Sequence, residues 1–122
     1  MSRAQPPDLL KRLEDNAVRA VGLSRYLQEQ PDRTGWDLGR QYLRSATSIG
    51  ANAEEAQDAS TKKEFIYKYG IAQPEARESR YFLPLFIRVE LAPEERLRPL
   101  LQETEELYAI TTTILRNAKG RK

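Results

Sequence analysis

Apolar residues return every three or four positions along this chain, the period of helices that each bury one face. No convincing strand interrupts that pattern. Four helical segments are expected, at about 7–30, 35–58, 61–90 and 94–118. The first opens with Pro7 near the first helical position and Asp8 in the first turn, both favourable at a helix N-terminus. Its stripe is Leu10, Leu13, Ala17, Val21, Ser24 and Leu27, and Pro31 ends it. The second follows "PDRTGW", where Thr34 and Asp37 have the spacing of a capping box, and carries Leu43, Ala46, Ile49 or Gly50, and Ala53. The third starts at Ser60 or Thr61, with Glu64 as the box partner of Thr61. Its seam is Phe65, Tyr69, Ala72, Ala76, Ser79, Leu83 and Phe86. The fourth follows "LAPEE", runs through Leu97, Leu100 or Leu101, Thr104, Leu107, Thr111 and Ile114, and ends near Gly120. Short connections between long helices make neighbours antiparallel. The expected fold is therefore all-α, an antiparallel up-down-up-down four-helix bundle forming one domain over residues 1–122.

Two prolines disturb the third segment. Pro74 and Pro84 lie inside its seam, and an interior proline costs about 3 kcal/mol by removing a hydrogen bond and crowding the carbonyl four residues back. The seven-residue phase of Phe65, Ala72, Ser79 and Phe86 continues across both, so a kinked continuous helix is expected rather than a broken one. Gly70, four residues before Pro74, gives the backbone room to yield. Pro99 is accommodated if the fourth helix starts properly near Arg98.

Composition narrows the chemistry. The chain has no histidine and no cysteine, which removes the commonest general base, metal ligand and strong nucleophile. The pairs Glu54–Glu55, Glu94–Glu95 and Glu105–Glu106 are adjacent in sequence, so on a helix each pair diverges by about 100° and forms no acid–base dyad. The glycines are scattered and form no phosphate loop. No enzyme is expected, and no cofactor or metal. The opening "MSRAQPPDLL" has no apolar stretch of signal-peptide length, and no run of about 18 apolar residues occurs anywhere, which points to a cytoplasmic protein without a membrane partner.

The net charge of +2 is small, so the placement of charge matters more than its sum. Residues 31–59 hold three basic and five acidic side chains, whereas residues 60–91 hold six basic and four acidic. The tail adds Arg116, Lys119, Arg121 and Lys122 with no acid. Lys62 and Lys63 stand in the first turn of the third helix, where the dipole disfavours cations but free N–H groups favour an anion. With Lys68, Arg77, Arg80 and the tail they form a candidate phosphate-binding set; exposed, solvated cations are the alternative reading. On the second helix Gln41, Ser45, Ser48, Asn52 and Glu55 form a polar stripe beside the apolar one. That stripe is either a solvated face or a buried one, within the bundle or against another subunit, where each polar group needs a partner.

The segments "QYLRSATSIGANAEEAQDASTKKEF" and "IAQPEARESRYFLPLF" resemble the four-helix bundle proteins associated with intervening sequences of bacterial 23S rRNA genes. The accessory variability determinants of diversity-generating retroelements share that fold. Gln41, Arg44, Ser45, Ala46, Ser48, Ile49, Ala51, Asn52, Glu55 and Ala56 carry the likeness, followed by Lys62 to Phe65. Further on, Ile71, Ala72, Glu75, Ala76, Glu78, Tyr81, Leu83 and Leu85 match. The chain departs from the family at Pro74, where lysine is usual, at Phe82, where tryptophan is usual, and at Pro84, where a polar residue is usual. The resemblance implies a tapered homo-oligomeric ring, typically a pentamer, that binds RNA, DNA or a ribonucleoprotein. A protein partner such as a reverse transcriptase is the other possibility it raises, in an oligomeric scaffold with no affinity for nucleic acid.

Overall fold

The computed structural model describes Pro6 and residues 8–120. Among these the chain forms four helices and no strand: α1 (Leu9–Gln28), α2 (Arg33–Gln57), α3 (Lys62–Arg88) and α4 (Glu94–Ala118). Pro7 lies outside the described residues.

The helix starts follow from short side chains placed to accept orphan N–H groups. Thr61 caps α3, its hydroxyl accepting from Glu64 N at 3.0 Å, while the Glu64 carboxylate accepts from Ser60 N at 3.0 Å. At α2 the cap is Asp32 rather than Thr34: Asp32 is extended and its carboxylate accepts from Gly35 N at 3.3 Å. The chain leaving Pro31 turns helical two residues before the expected box, so Thr34 already lies inside the helix. At α4 Pro93 precedes Glu94 and Glu95, whose charges suit the positive end. Because α4 begins at Glu94, Pro99 is interior to it and not in a first turn starting near Arg98.

Between α3 and α4 the chain reverses through two carbonyl-capping bonds, Glu90 N to Ile87 O at 3.2 Å and Leu91 N to Phe86 O at 3.0 Å. Together these are a Schellman closure, and they put Glu90 at φ +60, in the left-handed region that favours glycine. Leu91 packs against the same apolar cluster that holds Phe86.

The helices pack as antiparallel neighbours. α2 and α3 are tied along their length, α3 to α4 likewise, and α1 to α2, with α1 against α4 the slightest contact. Gly39 and Gly50 let α1 approach α2: a Cβ on Gly39 would lie 2.9 Å from Leu27 Cδ1, and one on Gly50 would lie 3.4 Å from Leu13 Cβ. The α1–α4 seam is closed by polar straps. Arg12 donates to Glu103 at 2.8 and 3.0 Å and to Glu106 at 2.8 Å, and Arg96 donates to Gly22 O at 3.0 Å. Hydrogen bonding from Arg12 holds the Glu103 carboxyl below its ordinary range.

The seams of α3 and α4 bury the expected residues. α1 differs. Its buried set is Leu9, Leu13, Asn16, Ala20, Leu23, Ser24 and Leu27, whereas Leu10, Ala17 and Val21 are only half-buried. The helix is rotated so that Leu13 and Leu27 meet the two glycines of α2, and Asn16 is carried into the interior as a result. On α2 the buried line is Gly35, Gly39, Tyr42, Ser45, Ala46, Ile49, Ala53 and Ala56.

The interior has two apolar clusters. Leu9, Leu13, Ile49, Phe65, Tyr69, Leu107 and Ile114 belong to one; Leu23, Leu27, Tyr42, Leu83, Phe86, Leu97 and Leu100 belong to the other. Between them in sequence on α1, α3 and α4 fall Asn16, Ser79 and Thr104, all fully buried. Ser79 is met from α2 by Ser45, hydroxyl to hydroxyl at 3.1 Å, and Ser45 Oγ also donates to Tyr42 O at 3.0 Å. Among the described residues the Asn16 amide and the Thr104 hydroxyl have no protein hydrogen-bond partner. The bundle thus has a polar waist.

α3 is one unbroken helix through Pro74 and Pro84, and both prolines are exposed. Gly70 is also exposed, so water can satisfy the carbonyl that Pro74 leaves without a donor.

The hydroxyl pair of the waist yields a direct expectation. Ser45→Ala strands the buried Ser79 hydroxyl and should cost about 1–3 kcal/mol, whereas Ser79→Ala leaves Ser45 bonded to Tyr42 O and should cost less. The double substitution removes donor and acceptor together and should recover about 1 kcal/mol or more of the summed losses, read from urea unfolding midpoints. Strictly additive losses would show that the two hydroxyls act independently.

Candidate nucleic-acid interface

α3 presents different chemistry to each neighbour. Toward α2 its carboxylates are neutralised: Arg44 reaches Glu75 at 3.3 Å and Glu78 at 3.0 Å. In the opposite sense Lys68 is ion-paired with Glu55 of α2, and that hydrogen bond raises the Lys68 ammonium above its ordinary range. Glu64, the remaining acid of α3, serves the helix cap. Both α3 carboxylates on this flank thus share a basic partner on α2.

At the end where α3 starts, α4 finishes. Gly120 takes φ +63 and its N–H bonds Asn117 O at 2.9 Å. A Cβ on Gly120 would lie 3.7 Å from Lys62 Nζ, so this ammonium stands at the C-terminal, negative end of α4. The cost of a cation in the first turn of α3 is offset by the neighbouring dipole. Lys63, Arg116 and Lys119 are exposed near the same two helix ends and form no ion pair among the described residues. Arg121 and Lys122 lie outside the described residues.

Toward α4 and solvent, α3 keeps its cations. Arg77, Arg80, Tyr81, Pro84, Leu85, Arg88 and Glu105 line an open groove of about 500 Å³. Arg80 is held over the Tyr108 ring of α4, its guanidinium carbon 4.4 Å from the centroid, and Gln73 donates to Thr112 at 3.0 Å lower in the same interface. Arg77 and Arg88 are exposed and form no ion pair among the described residues. Tyr81 is 66% exposed, and Tyr67, on the same face, 64%.

The basic set expected from sequence therefore divides. Among the described residues Lys63, Arg77, Arg116 and Lys119 form no ion pair, Lys62 is placed against α4, and Arg80 is held by an aromatic ring. Lys68 does not belong with the free cations, because Glu55 already occupies it. The α2 polar stripe also divides. Ser45 is buried within the bundle, Ser48 and Asn52 are half-buried and bonded to each other along the helix, Glu55 pairs with α3, and Gln41 is exposed.

Sequence reasoning missed Tyr67, Tyr81 and Arg88. A signal was present: Tyr67, Gly70, Pro74, Arg77, Tyr81, Pro84 and Arg88 recur at three–four spacing, in register with the buried seam but on the opposite face. Among the described residues no helix is long and apolar enough to cross a membrane.

The family model of the 23S rRNA-intervening sequence protein matches residues 11–113. A crystal structure of a protein of unknown function from the S23 ribosomal protein family of Bacteroides thetaiotaomicron is 35% identical, covers 88% of this chain and 98% of its own, and superposes with a TM-score of 0.80. No curated protein matches. This chain belongs to the 23S rRNA-intervening sequence protein family.

Proposed function

We propose that this family member is a non-enzymatic, homo-oligomeric accessory protein that binds RNA or DNA through phosphate contacts in the cytoplasm. The observation that carries the proposal is the division of charge on α3. Its carboxylates are paired with α2 or used in the cap, while Lys63, Arg77 and Arg88 form no ion pair among the described residues, with Arg116 and Lys119 exposed at the end of α4. Exposed cations without partners, spread over roughly 40 Å along a helix at 1.5 Å per residue, suit a polyanion that is read by charge and not by base. The absence of histidine and cysteine fits a role in binding rather than catalysis.

Binding should weaken as salt rises, with log K falling by about 0.7–0.9 per neutralised phosphate for each log unit of salt. Replacing Lys63 and Arg116 by alanine should weaken all sequences alike and reduce that slope by about 1.4–1.8. Fluorescence anisotropy on labelled oligonucleotides at graded potassium chloride measures both. Salt-independent binding, or none at low salt, would instead favour an oligomeric scaffold whose partner is a protein.

The assembly in this proposal is a closed ring, five-fold by family resemblance, in which each protomer offers two different faces to its neighbours. Light scattering on a sizing column at micromolar concentration should give a mass near five times the 14.1 kDa of the chain. A 14.1 kDa species under those conditions would remove the ring from the account.

A further inference from the structure

The solvent face of α3 is costly to the helix that bears it. Pro74 and Pro84 each forfeit a backbone hydrogen bond, and interior glycine is worth about 1 kcal/mol less than alanine. The bundle gains no packing in return. Both prolines are exposed, and a Cβ on Gly70 would meet nothing within 4 Å. Beside these residues stand two tyrosines about two-thirds exposed, although a tyrosine ring is ordinarily at least partly buried. Beyond a cation–π contact of Lys68 with Tyr67 and an edge contact of Tyr81 with Phe82, the fold explains none of these five choices. A ligand that lies flat on the face explains all of them, because small and ring-shaped residues keep the surface low while tyrosine supplies a stacking plane.

The groove beside this face says which ligand. Three guanidinium groups, from Arg77, Arg80 and Arg88, surround one exposed aromatic ring, Tyr81, above Pro84. Only one carboxylate, Glu105, joins the lining, so the field is positive. Arg80 is fixed over Tyr108, which leaves Arg77 and Arg88, without an ion pair among the described residues, to donate hydrogen bonds to phosphates on either side of Tyr81. They are eleven positions apart in sequence, about 16 Å along the helix axis at 1.5 Å per residue, with the ring between them. A space of about 500 Å³ admits a nucleotide base. Duplex nucleic acid would present phosphates to the arginines but keep its bases stacked on one another, leaving Tyr81 idle. A second copy of the same face would set arginine against arginine.

We propose that the α3–α4 groove is a single-strand-specific contact site, in which an unpaired base stacks on Tyr81 while Arg77 and Arg88 hold the flanking phosphates. This rests on the phosphate-binding reading above and names its substrate class. Single-stranded RNA or DNA binds in preference to duplex of the same sequence, with little preference among bases, since every base has a π-face.

The test uses the full-length chain, a fluorescein-labelled 12-nucleotide oligouridylate as the single strand, and a labelled 12-base-pair RNA duplex. Tyr81→Leu should weaken the single strand at least about five-fold, the low end of what one stacked base contributes, without changing the salt slope. Tyr81→Phe, which keeps the ring, should bind as wild type. Arg77→Gln with Arg88→Gln should instead flatten the single-strand slope by about 1.4. Duplex affinity should be unmoved by Tyr81→Leu. Because Tyr81 is exposed, circular dichroism melting should leave the variant's stability close to wild type. A Tyr81→Leu protein that binds oligouridylate as tightly as wild type overturns the site. So does equal loss on single strand and duplex, or a change in oligomer mass, which would assign the face to another subunit. Failure of the parent reading looks different: wild type would then show no salt-dependent binding to either probe.

Discussion

The buried Ser45–Ser79 hydroxyl pair ties α2 to α3 at the polar waist of the bundle. Apolar side chains tolerate sliding by a helical turn, because a leucine finds another leucine or alanine at the next position. A buried hydroxyl does not, since it must meet a partner at bonding distance or remain unsatisfied. At 3.1 Å the pair meets that demand across the α2–α3 interface in the observed register. The small residues around it, Ala46 and Ala76, leave room for the backbones to approach closely enough for two short side chains to touch. The polar, alanine-rich character of α2 has its reason here, inside the bundle.

The charges follow from that register. Once Ser45 faces Ser79, Arg44 falls beside Glu75 and Glu78, and Glu55 falls beside Lys68. These exposed pairs add little stability on their own. Their consequence is a matter of allocation: every carboxylate on the α2 side of α3 acquires a basic partner, while Arg77 and Arg88 on the other side form no ion pair among the described residues. A shift of one turn between the helices would scramble that distribution. The cationic, aromatic face of α3 thus depends on a contact it never touches.

The seams of α3 and α4 were legible in the sequence because their seven-residue phase is unambiguous, even across two prolines. α1 was not, because two phases compete there. Leu10, Ala17 and Val21 make as good a stripe as Leu9, Asn16 and Ala20, and hydropathy alone rejects a buried asparagine. What decides is the pair of glycines on α2 that receive Leu13 and Leu27, a tertiary fact. The α2 cap was misplaced for a similar reason: Asp32 and Thr34 both offer a capping oxygen, and the backbone leaving Pro31 selects the earlier. The family and the fold could be read from residues 41–86. Which cations are free could not, since Lys68 and Arg77 look alike in sequence and differ only in what lies across the groove. The exposed tyrosines were readable in principle, as the same periodicity on the opposite face, but an exposed face carries no hydropathy signal to draw attention to it.

The allocation of charge can be observed directly from the arginine side chains. In nuclear magnetic resonance spectra of the labelled protein, the guanidinium groups of Arg12 and Arg44 should show hindered rotation, each being held by two carboxylates, while Arg77 and Arg88 should rotate freely. On titration with a short oligonucleotide, the Arg77 and Arg88 signals should shift and lose their freedom while those of Arg12 and Arg44 stay unchanged. Free rotation at Arg44, or oligonucleotide-induced shifts at Arg44 with none at Arg77 and Arg88, would contradict the account.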